Sequence, residues 1–314
     1  MPKDKSYPDV TQSQSAVFSR RLDKVGMSNI EIPLRLELPN QGAHLCPALA
    51  DAYVSLDKEN AKGIHMSRLF LALHDSFAED VVSFEQIKLC LEKFLESHEG
   101  LSESAYLNLK FDLPVLRPSL LSGRKGWRQY KLELSGSIEK GECLFKQKIM
   151  VLYSSTCPCS AALSRQLIQQ KFSDQHGDKT SLNVDEVVEW LGQEGSILAT
   201  PHGQRSEAHI TVVPTKIETA PSIVDLIDAC ESALSTPVQA AVKREDEQEF
   251  ARLNGSNLMF AEDAGRRLAQ ALENLDGVAD YRVEARHMES LHAHDAVSIV
   301  TKGLKHGLPA DQSW

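Results

Sequence analysis

The sequence Ser155-Thr156-Cys157-Pro158-Cys159-Ser160 lies at the middle of the chain, between a strand-like apolar run at 145–153 and a helix-like run that follows. Pro158 favours an extended conformation for the residue before it and suits the first turn of a helix. We therefore expect Cys157 to be extended and Cys159 to lie at a helix N-terminus, where the helix dipole favours a thiolate. Two thiols in different backbone states can take different roles, one holding a metal and the other reacting.

The composition is that of a soluble globular protein. The 314 residues suggest roughly two units of ~150 residues, and 42% of them are hydrophobic and 25% charged. A net charge of −10 argues against a nucleic-acid binder. No segment is apolar for long enough to cross a membrane, and the N-terminus lacks the apolar core of a signal peptide. Without such a signal, the six cysteines are expected to be reduced thiols, and we expect a cytoplasmic protein.

The first half of the sequence predicts two strands, two helices and two more strands. Strict alternation of apolar residues indicates each strand, and Pro33 places the first strand at a sheet edge or at a bulge. Ser83 with Gln86 forms a capping box at the start of the second helix. In chain order the elements are strands at 30–38 and 52–56, helices at 65–77 and 83–100, and strands at 105–113 and 130–134.

The second half repeats this ββααββ order, which favours a tandem duplication over one irregular α+β domain. Half-exposed alternation predicts an α+β fold with antiparallel sheets and helices layered on one face. The predicted elements are strands at 143–153 and 208–212 around a helical insertion at 158–195, helices at 222–234 and from 257, and strands at 278–286 and 294–302. The predicted divisions are a polar tail at 1–18, modules at 19–140 and 141–302, and a polar tail at 303–314.

Two segments contain basic or imidazole side chains, and the first of them has residue types suited to phosphate. The first starts at Lys62 and ends at Arg68, and its glycine precedes a helix start whose backbone N–H groups would help to cradle a phosphate. An ordinary solvated helix start explains the same spacing and is more common. The second segment, 201–206, places His202 and Arg205 in a turn before a strand, where both are equally well explained as surface residues.

Two further clusters contain carboxylates and imidazoles. Residues 243–247 form a charge run, which is usually a solvated face. Glu262 instead borders the apolar stripe of its predicted helix, so we expect a half-buried carboxylate. His292 and His294 are two residues apart and face the same side of an extended chain. Cys-x-Cys alone is a weak signal, but thiolate, imidazole and carboxylate in one reduced chain suit a catalytic divalent metal.

In this order, the clusters resemble those of GTP cyclohydrolase of the prokaryotic type IB. The resemblance extends from Ser19 to Lys302, and five ordered motifs make it specific. The matching motifs are Ser19–Gly26, Lys62–Arg68, Cys157–Ser160, His202–Ser206 and Glu289–His294.

The resemblance implies the fold and the reaction. The fold is a tunnelling fold with tandem ββααββ modules, assembled as a homotetramer with active sites near subunit interfaces. The reaction converts GTP and water to formate and 7,8-dihydroneopterin triphosphate, for folate or deazaguanine-modified tRNA. One departure from the pattern is the long insertion between Cys159 and His202.

The resemblance also implies the site residues. Cys157, His202, Glu247 and His292 correspond to the metal environment, for Zn²⁺, Mn²⁺ or Fe²⁺. Cys159 corresponds to the essential second thiol, and Glu262 to the carboxylate that anchors the purine. Candidates for proton transfer are Cys159, Glu289 and His294, and candidates for binding the substrate's remaining groups are Lys62, His65, Arg68, Arg205 and Arg20.

Two other functions are compatible with these residues. The first is another tunnelling-fold enzyme acting on a purine or pterin with Cys159 as nucleophile. The second is a non-enzymatic metal-storage or thiol-switch protein built on Cys157 and Cys159.

Overall fold

Alternating apolar residues build one antiparallel sheet whose strands follow each other in chain order. The computed structural model describes residues 11 and 14–311, and within them the sheet has eight strands. The strands are β1 (Leu22–Leu38), β2 (Gly42–Leu56), β3 (Ser104–Pro118), β4 (Lys125–Glu139), β5 (Glu142–Thr156), β6 (Gly203–Pro214), β7 (Val278–His287) and β8 (Ala296–Thr301).

Helices connect the strands in three places. A pair lies between β2 and β3, a second pair between β5 and β6, and three helices after a short 3₁₀ turn lie between β6 and β7. They are α1 (Met66–Phe77), α2 (Phe84–Ser97), α3 (Pro158–His176), α4 (Val184–Gly192), α5 (Ile223–Leu234), α6 (Arg244–Ser256) and α7 (Ala261–Glu273), and the 3₁₀ turn is Ile217–Thr219. In the part of the chain that the structure describes, no helix is long and apolar enough to span a membrane.

One face of the sheet carries the hydrophobic core. Alternate side chains of the strands are buried there against α1, α2, α5 and α7. The opposite face is lined by charged side chains, which form ion pairs such as Lys148–Glu133 at 2.8 Å and Arg282–Glu284 at 3.0 Å. The predicted α+β class, with helices layered on one face of an antiparallel sheet, is confirmed.

The proline in β1 has the position that the sequence indicates. β1 pairs only with β2 in the described sheet and is therefore an edge strand. A register shift between Met27 and Ile30 adds a bulge, and Pro33 lies opposite Pro47. Of the two predicted reasons for tolerating Pro33, the edge position applies, because the bulge lies elsewhere in the strand.

The sheet is continuous across the proposed division of the chain. Residues 140 and 141 lie in the tight turn between β4 and β5, and these two strands pair over 132–139 and 142–149. The division into modules at 19–140 and 141–302 therefore stays a prediction about ancestry and folding.

Both predicted tails contain residues that contact the sheet or its loops. Ser15 forms a bridge with Ala61, and residues 1–10, 12 and 13 of the predicted N-terminal tail lie outside the described residues. At the other end, Leu308 is buried and donates its backbone N–H to Asp280 Oδ2 at 2.6 Å. Leu308 and Ala310 thus contact β7, and 312–314 lie outside the described residues.

The sequence prediction misses one helix, α6. We expected a single helix opening near Asn257, but the chain forms α6, ends it, and starts α7 at Ala261. The charge run 243–247 is the first turn of α6, and Asp246 within it is fully buried. Reading this whole run as a solvated face is therefore wrong.

Asp246 ties α6 to the turn between β3 and β4. Its Oδ1 accepts the backbone N–H groups of Leu121 at 2.7 Å and Ser122 at 2.9 Å, and its Oδ2 accepts the N–H of Lys243 at 2.8 Å. A buried carboxylate with these donors stabilises both segments, because charge-assisted hydrogen bonds are about twice as strong as neutral ones.

We expect Asp246→Ala to lower the melting temperature by about 5 °C or more, because it removes a buried carboxylate that accepts three backbone N–H groups. Thermal unfolding followed by circular dichroism measures the change. Glu245→Ala is the matched control, since Glu245 lies in the same first turn but is exposed. Equal melting temperatures for the two variants would contradict a structural role for Asp246.

Candidate active site

The strand directions give the sheet two functionally different ends. Every neighbouring pair of strands is antiparallel, so odd-numbered strands end where even-numbered strands begin. The last residues of β5 and β7 lie at one end of the sheet, which we call the cysteine end. We call the opposite edge, where β2 ends, the lysine end.

The two cysteines lie at the cysteine end in the predicted conformations. Cys157 is the N-cap of α3, with φ −68° and ψ 124°, and Pro158 follows in the first turn. Cys157 is half-buried, whereas Cys159 is exposed in the first turn of the helix. The expected difference in backbone state is confirmed.

His202 lies beside Cys157, although 45 residues separate them in sequence. The backbone N–H of Cys157 donates to His202 O at 3.2 Å, and the N–H of His202 donates to Ser160 Oγ at 3.1 Å. His202 Nδ1 lies 3.0 Å from Gln204 Oε1 and 3.8 Å from Glu289 Oε2. The structure thus brings the backbones of Cys157 and His202 together and places the His202 imidazole near a carboxylate.

Glu262 also lies at the cysteine end, in the first turn of α7. The backbone N–H of Met259 donates to Thr156 O at 3.2 Å, and Ser298 Oγ donates to Ala261 O at 2.6 Å. These bonds fix the start of the helix between β5 and β8. Glu262 is exposed, so the expected half-burial is wrong in this chain: α7 packs its alanines and leucines on the sheet and turns Glu262 outward.

Two histidines occupy the loop between β7 and β8. The rings of His292 and His294 stack with centroids 4.9 Å apart and an interplanar angle of 9°. Both side chains are exposed. As expected, both side chains lie on the same side of the chain, although this part of the chain is a loop and not a strand.

Glu247 and Arg205 complete the set at the cysteine end. Asn254 Oδ1 accepts a hydrogen bond from Ser154 Oγ at 2.6 Å, so α6 lies along the last part of β5. Glu247 is exposed in the first turn of that helix. Arg205 is exposed on β6, opposite Ser154.

The remaining predicted residues lie at the lysine end. Arg20 precedes β1 and donates its backbone N–H to Glu59 O at 3.1 Å. Lys62 is exposed, His65 is the N-cap of α1, and Arg68 Nη1 donates to Ser97 O at 2.6 Å. A strand of 15 residues, such as β2 or β5, spans roughly 45–50 Å. One chain therefore does not bring these residues to Cys157.

The described residues of one chain assemble no complete metal site. Within residues 11 and 14–311, no three or more His, Cys, Asp or Glu side chains are grouped so that they could hold a metal ion. Cys157 and His202 are nevertheless adjacent, and a thiol with an imidazole suits a divalent transition metal. These donors fit such a metal in kind, while Glu247 and His292 have to approach for the predicted set to be complete.

His287 is a buried residue at this end, and the sequence does not indicate a role for it. It lies in one row with Ser206 and Tyr153 across three strands, and its ring centroid is 5.7 Å from that of Tyr153. Burial lowers the pKa of His287 to about 4, with the nearby Glu262 acting in the opposite direction. Two features of the sequence include His287, the histidine-rich run at 287–294 and the alternation of apolar residues along β7, and the second also fits a core position.

We expect acid to destabilise the fold through His287. The unfolded chain binds a proton near pH 6.5 that the folded chain accepts only near pH 4, so the free energy of unfolding falls by up to about 3 kcal/mol as the pH drops through this window. Urea unfolding at about pH 7 and about pH 4.5 measures this loss. His287→Gln should reduce the difference between the two pH values, and an unchanged difference would contradict the assignment. Burial also lowers the pKa values of His98 and His209. Both histidines are present in the wild type and in His287→Gln, so they affect the pH dependence of both proteins equally.

Comparison with known proteins identifies relatives over almost the whole chain. Residues 7–298 match the family model described as type I GTP cyclohydrolase FolE2. GTP cyclohydrolase FolE2 of Pseudoalteromonas translucida is 48% identical over 303 residues, which cover 96% of this chain and 100% of the relative. GTP cyclohydrolase FolE2 of Hydrogenovibrio crunogenus is 46% identical over 300 residues, covering 96% of each chain.

Among solved structures, uricase from Arthrobacter globiformis aligns with a TM-score of 0.49 and 11% identity, covering 92% of this chain and 96% of the uricase. At this TM-score we draw no conclusion from the likeness. The sequence relatives carry the assignment.

Proposed function

The chain belongs to the FolE2 family of type I GTP cyclohydrolases, and from this premise we propose that it hydrolyses GTP to formate and 7,8-dihydroneopterin triphosphate at sites shared between subunits. The activity is that of a GTP cyclohydrolase of folate biosynthesis. The shared site and the roles of individual residues are our proposal.

A shared site is supported by the locations of the candidate residues, which lie at two opposite ends of the sheet. Lys62 and Arg68 lie at the lysine end, whereas Cys157 and Glu262 lie at the cysteine end. All four can serve one GTP molecule only if the lysine end of one subunit meets the cysteine end of another. A homotetramer, which the resemblance implies, provides such contacts.

Glu262 is proposed to bind the guanine base. Its carboxylate can accept the N1–H and the amino N–H of guanine together, and such bidentate charge-assisted pairs are strong and specific. Its exposure supports this role, because the carboxylate is not occupied in the core of its own subunit. The triphosphate would lie against Arg205 of this subunit and against the basic residues at the lysine end of the neighbour, including Lys62.

Cys157 and His202 are proposed to hold a divalent metal, with Glu247 and His292 as the other candidates. Enzymes of this family generally use a divalent metal. When bound, such a metal lowers the pKa of water from 15.7 to about 7 and so supplies a nucleophile for C8 of guanine at neutral pH. Zn²⁺, Mn²⁺ and Fe²⁺ all accept this combination of ligands.

Three side chains are proposed to transfer protons during ring opening and formate release. Cys159 Sγ lies on the exposed first turn of α3, next to the proposed metal ligand Cys157. Glu289 Oε2 faces His202 from the loop after β7. His294 stacks on His292, so a proton acceptor lies beside the fourth proposed ligand.

The test is turnover of GTP by purified protein reconstituted with each metal in turn. We expect formate and a pterin that fluoresces after oxidation, with the metal-free protein inactive. Consumption of NADPH in place of formate release would favour a different tunnelling-fold enzyme. Metal binding without any turnover of GTP would favour the metal-storage alternative.

A further inference from the structure

A chain of hydrogen bonds runs from His202 into the core of the sheet. His202 Nδ1 lies 3.0 Å from Gln204 Oε1, and Gln204 Nε2 donates to Ser155 Oγ at 3.0 Å. Ser155 Oγ lies 2.8 Å from Ser206 Oγ. Gln204 is 9% exposed, and both serines are fully buried. These side chains are thus shielded from water, and each depends on the next for its hydrogen bonds.

The direction of this chain determines which nitrogen of His202 carries the proton. A neutral imidazole has one protonated nitrogen, which donates, and one bare nitrogen, which accepts. Because the amide nitrogen of Gln204 is used by Ser155, its oxygen faces His202 Nδ1 and needs a donor there. The carboxylate of Glu289, 3.8 Å from the same nitrogen, also favours a proton at that position. A proton on Nδ1 satisfies both of these acceptors and leaves the lone pair on Nε2.

We propose that Gln204 is a positioning residue that holds the proton on His202 Nδ1 and so presents Nε2 to a divalent cation. The inference rests on the proposed metal site and adds the group that prepares one of its ligands. Metal-binding histidines commonly donate their second N–H to such a partner, and loss of the partner typically weakens metal affinity 10–100-fold. Ser155 and Ser206 serve in turn to hold the amide of Gln204 in the required orientation.

The experiment measures the affinity of the full-length protein for Mn²⁺, using the electron paramagnetic resonance signal of the free ion. Gln204→Leu removes the acceptor, and we expect its dissociation constant to rise about 10–100-fold. Gln204→Glu keeps an oxygen facing Nδ1, and we expect affinity within a few-fold of the wild type. Gln147→Leu is the matched control, because Gln147 is an equally buried glutamine near the other end of β5. It should leave the affinity unchanged.

A second measurement separates positioning from packing. Nitrogen-15 shifts of labelled histidine in the metal-free protein distinguish protonated from bare ring nitrogens, and we expect the Nδ1–H form of His202 in the wild type and in Gln204→Glu. A mixture of forms is expected in Gln204→Leu. Equal loss of affinity in both Gln204 variants, or unchanged affinity in Gln204→Leu, would overturn the inference.

The proposed metal site has its own control. His202→Ala should abolish tight Mn²⁺ binding if His202 is a ligand. If His202→Ala binds Mn²⁺ as the wild type does, both the metal site and the role of Gln204 are wrong. If His202→Ala loses binding while Gln204→Leu does not, only the role of Gln204 is wrong.

Discussion

Co-expression of Glu262→Ala subunits with Lys62→Glu subunits is expected to restore about a quarter of wild-type GTP turnover, although each variant alone is at least about a hundredfold less active. The reason is that each proposed site is formed by the cysteine end of one subunit and the lysine end of another. Glu262→Ala damages only the cysteine end, and Lys62→Glu damages only the lysine end. In a random mixture, about one interface in four combines an intact cysteine end with an intact lysine end.

The measurement is formate release by the co-purified mixture, compared with the two variants purified separately. Lys58→Glu is the matched control for the charge reversal, since Lys58 is also exposed in the loop after β2 and belongs to none of the proposed contacts. It should retain most of the turnover. A mixture no more active than its separate components would show that each site is built within one chain, contrary to our proposal.

Cys157→Ala is expected to leave the protein without its divalent metal and to lower turnover by at least about a thousandfold. Cys159→Ala should keep the metal and still lose turnover, because its thiol lies on the exposed first turn of α3 and is assigned to proton transfer and not to binding the metal. The two variants thus differ in metal content while sharing the loss of activity.

Elemental analysis and GTP turnover of the same samples distinguish the two roles. Cys143→Ala serves as the control, because Cys143 is an exposed thiol at the opposite end of β5. Cys143→Ala should change neither the metal content nor the GTP turnover. Substantial turnover by Cys159→Ala would remove the division of roles between the two thiols.

The order of elements is largely predictable because local patterns determine it. Alternation identifies the strands, and the proline between the two cysteines predicts both the extended Cys157 and the helix that follows. The position of Pro33 on an edge strand follows from its missing N–H group.

The layout of the site is less predictable because it depends on strand order. No local pattern indicates that Lys62 and Cys157 lie at opposite ends of one sheet, since that requires the three successive antiparallel pairings from β2 to β5 to be known. The burial of Asp246 is not predictable from the local sequence for a related reason. Its partners, Leu121 and Ser122, are more than 120 residues away, so the run of charges around it looks fully solvated.

The packing of the final residues against β7 affects how this protein should be produced. Leu308 is seated beside Asp280, and Arg282 donates to the carbonyl of Ala310. An affinity tag fused directly after Trp314 would follow Ala310 by only four residues in sequence, and we expect it to weaken these contacts with the charged face of the sheet. Removal of such a tag by a protease before the measurements above leaves these contacts undisturbed.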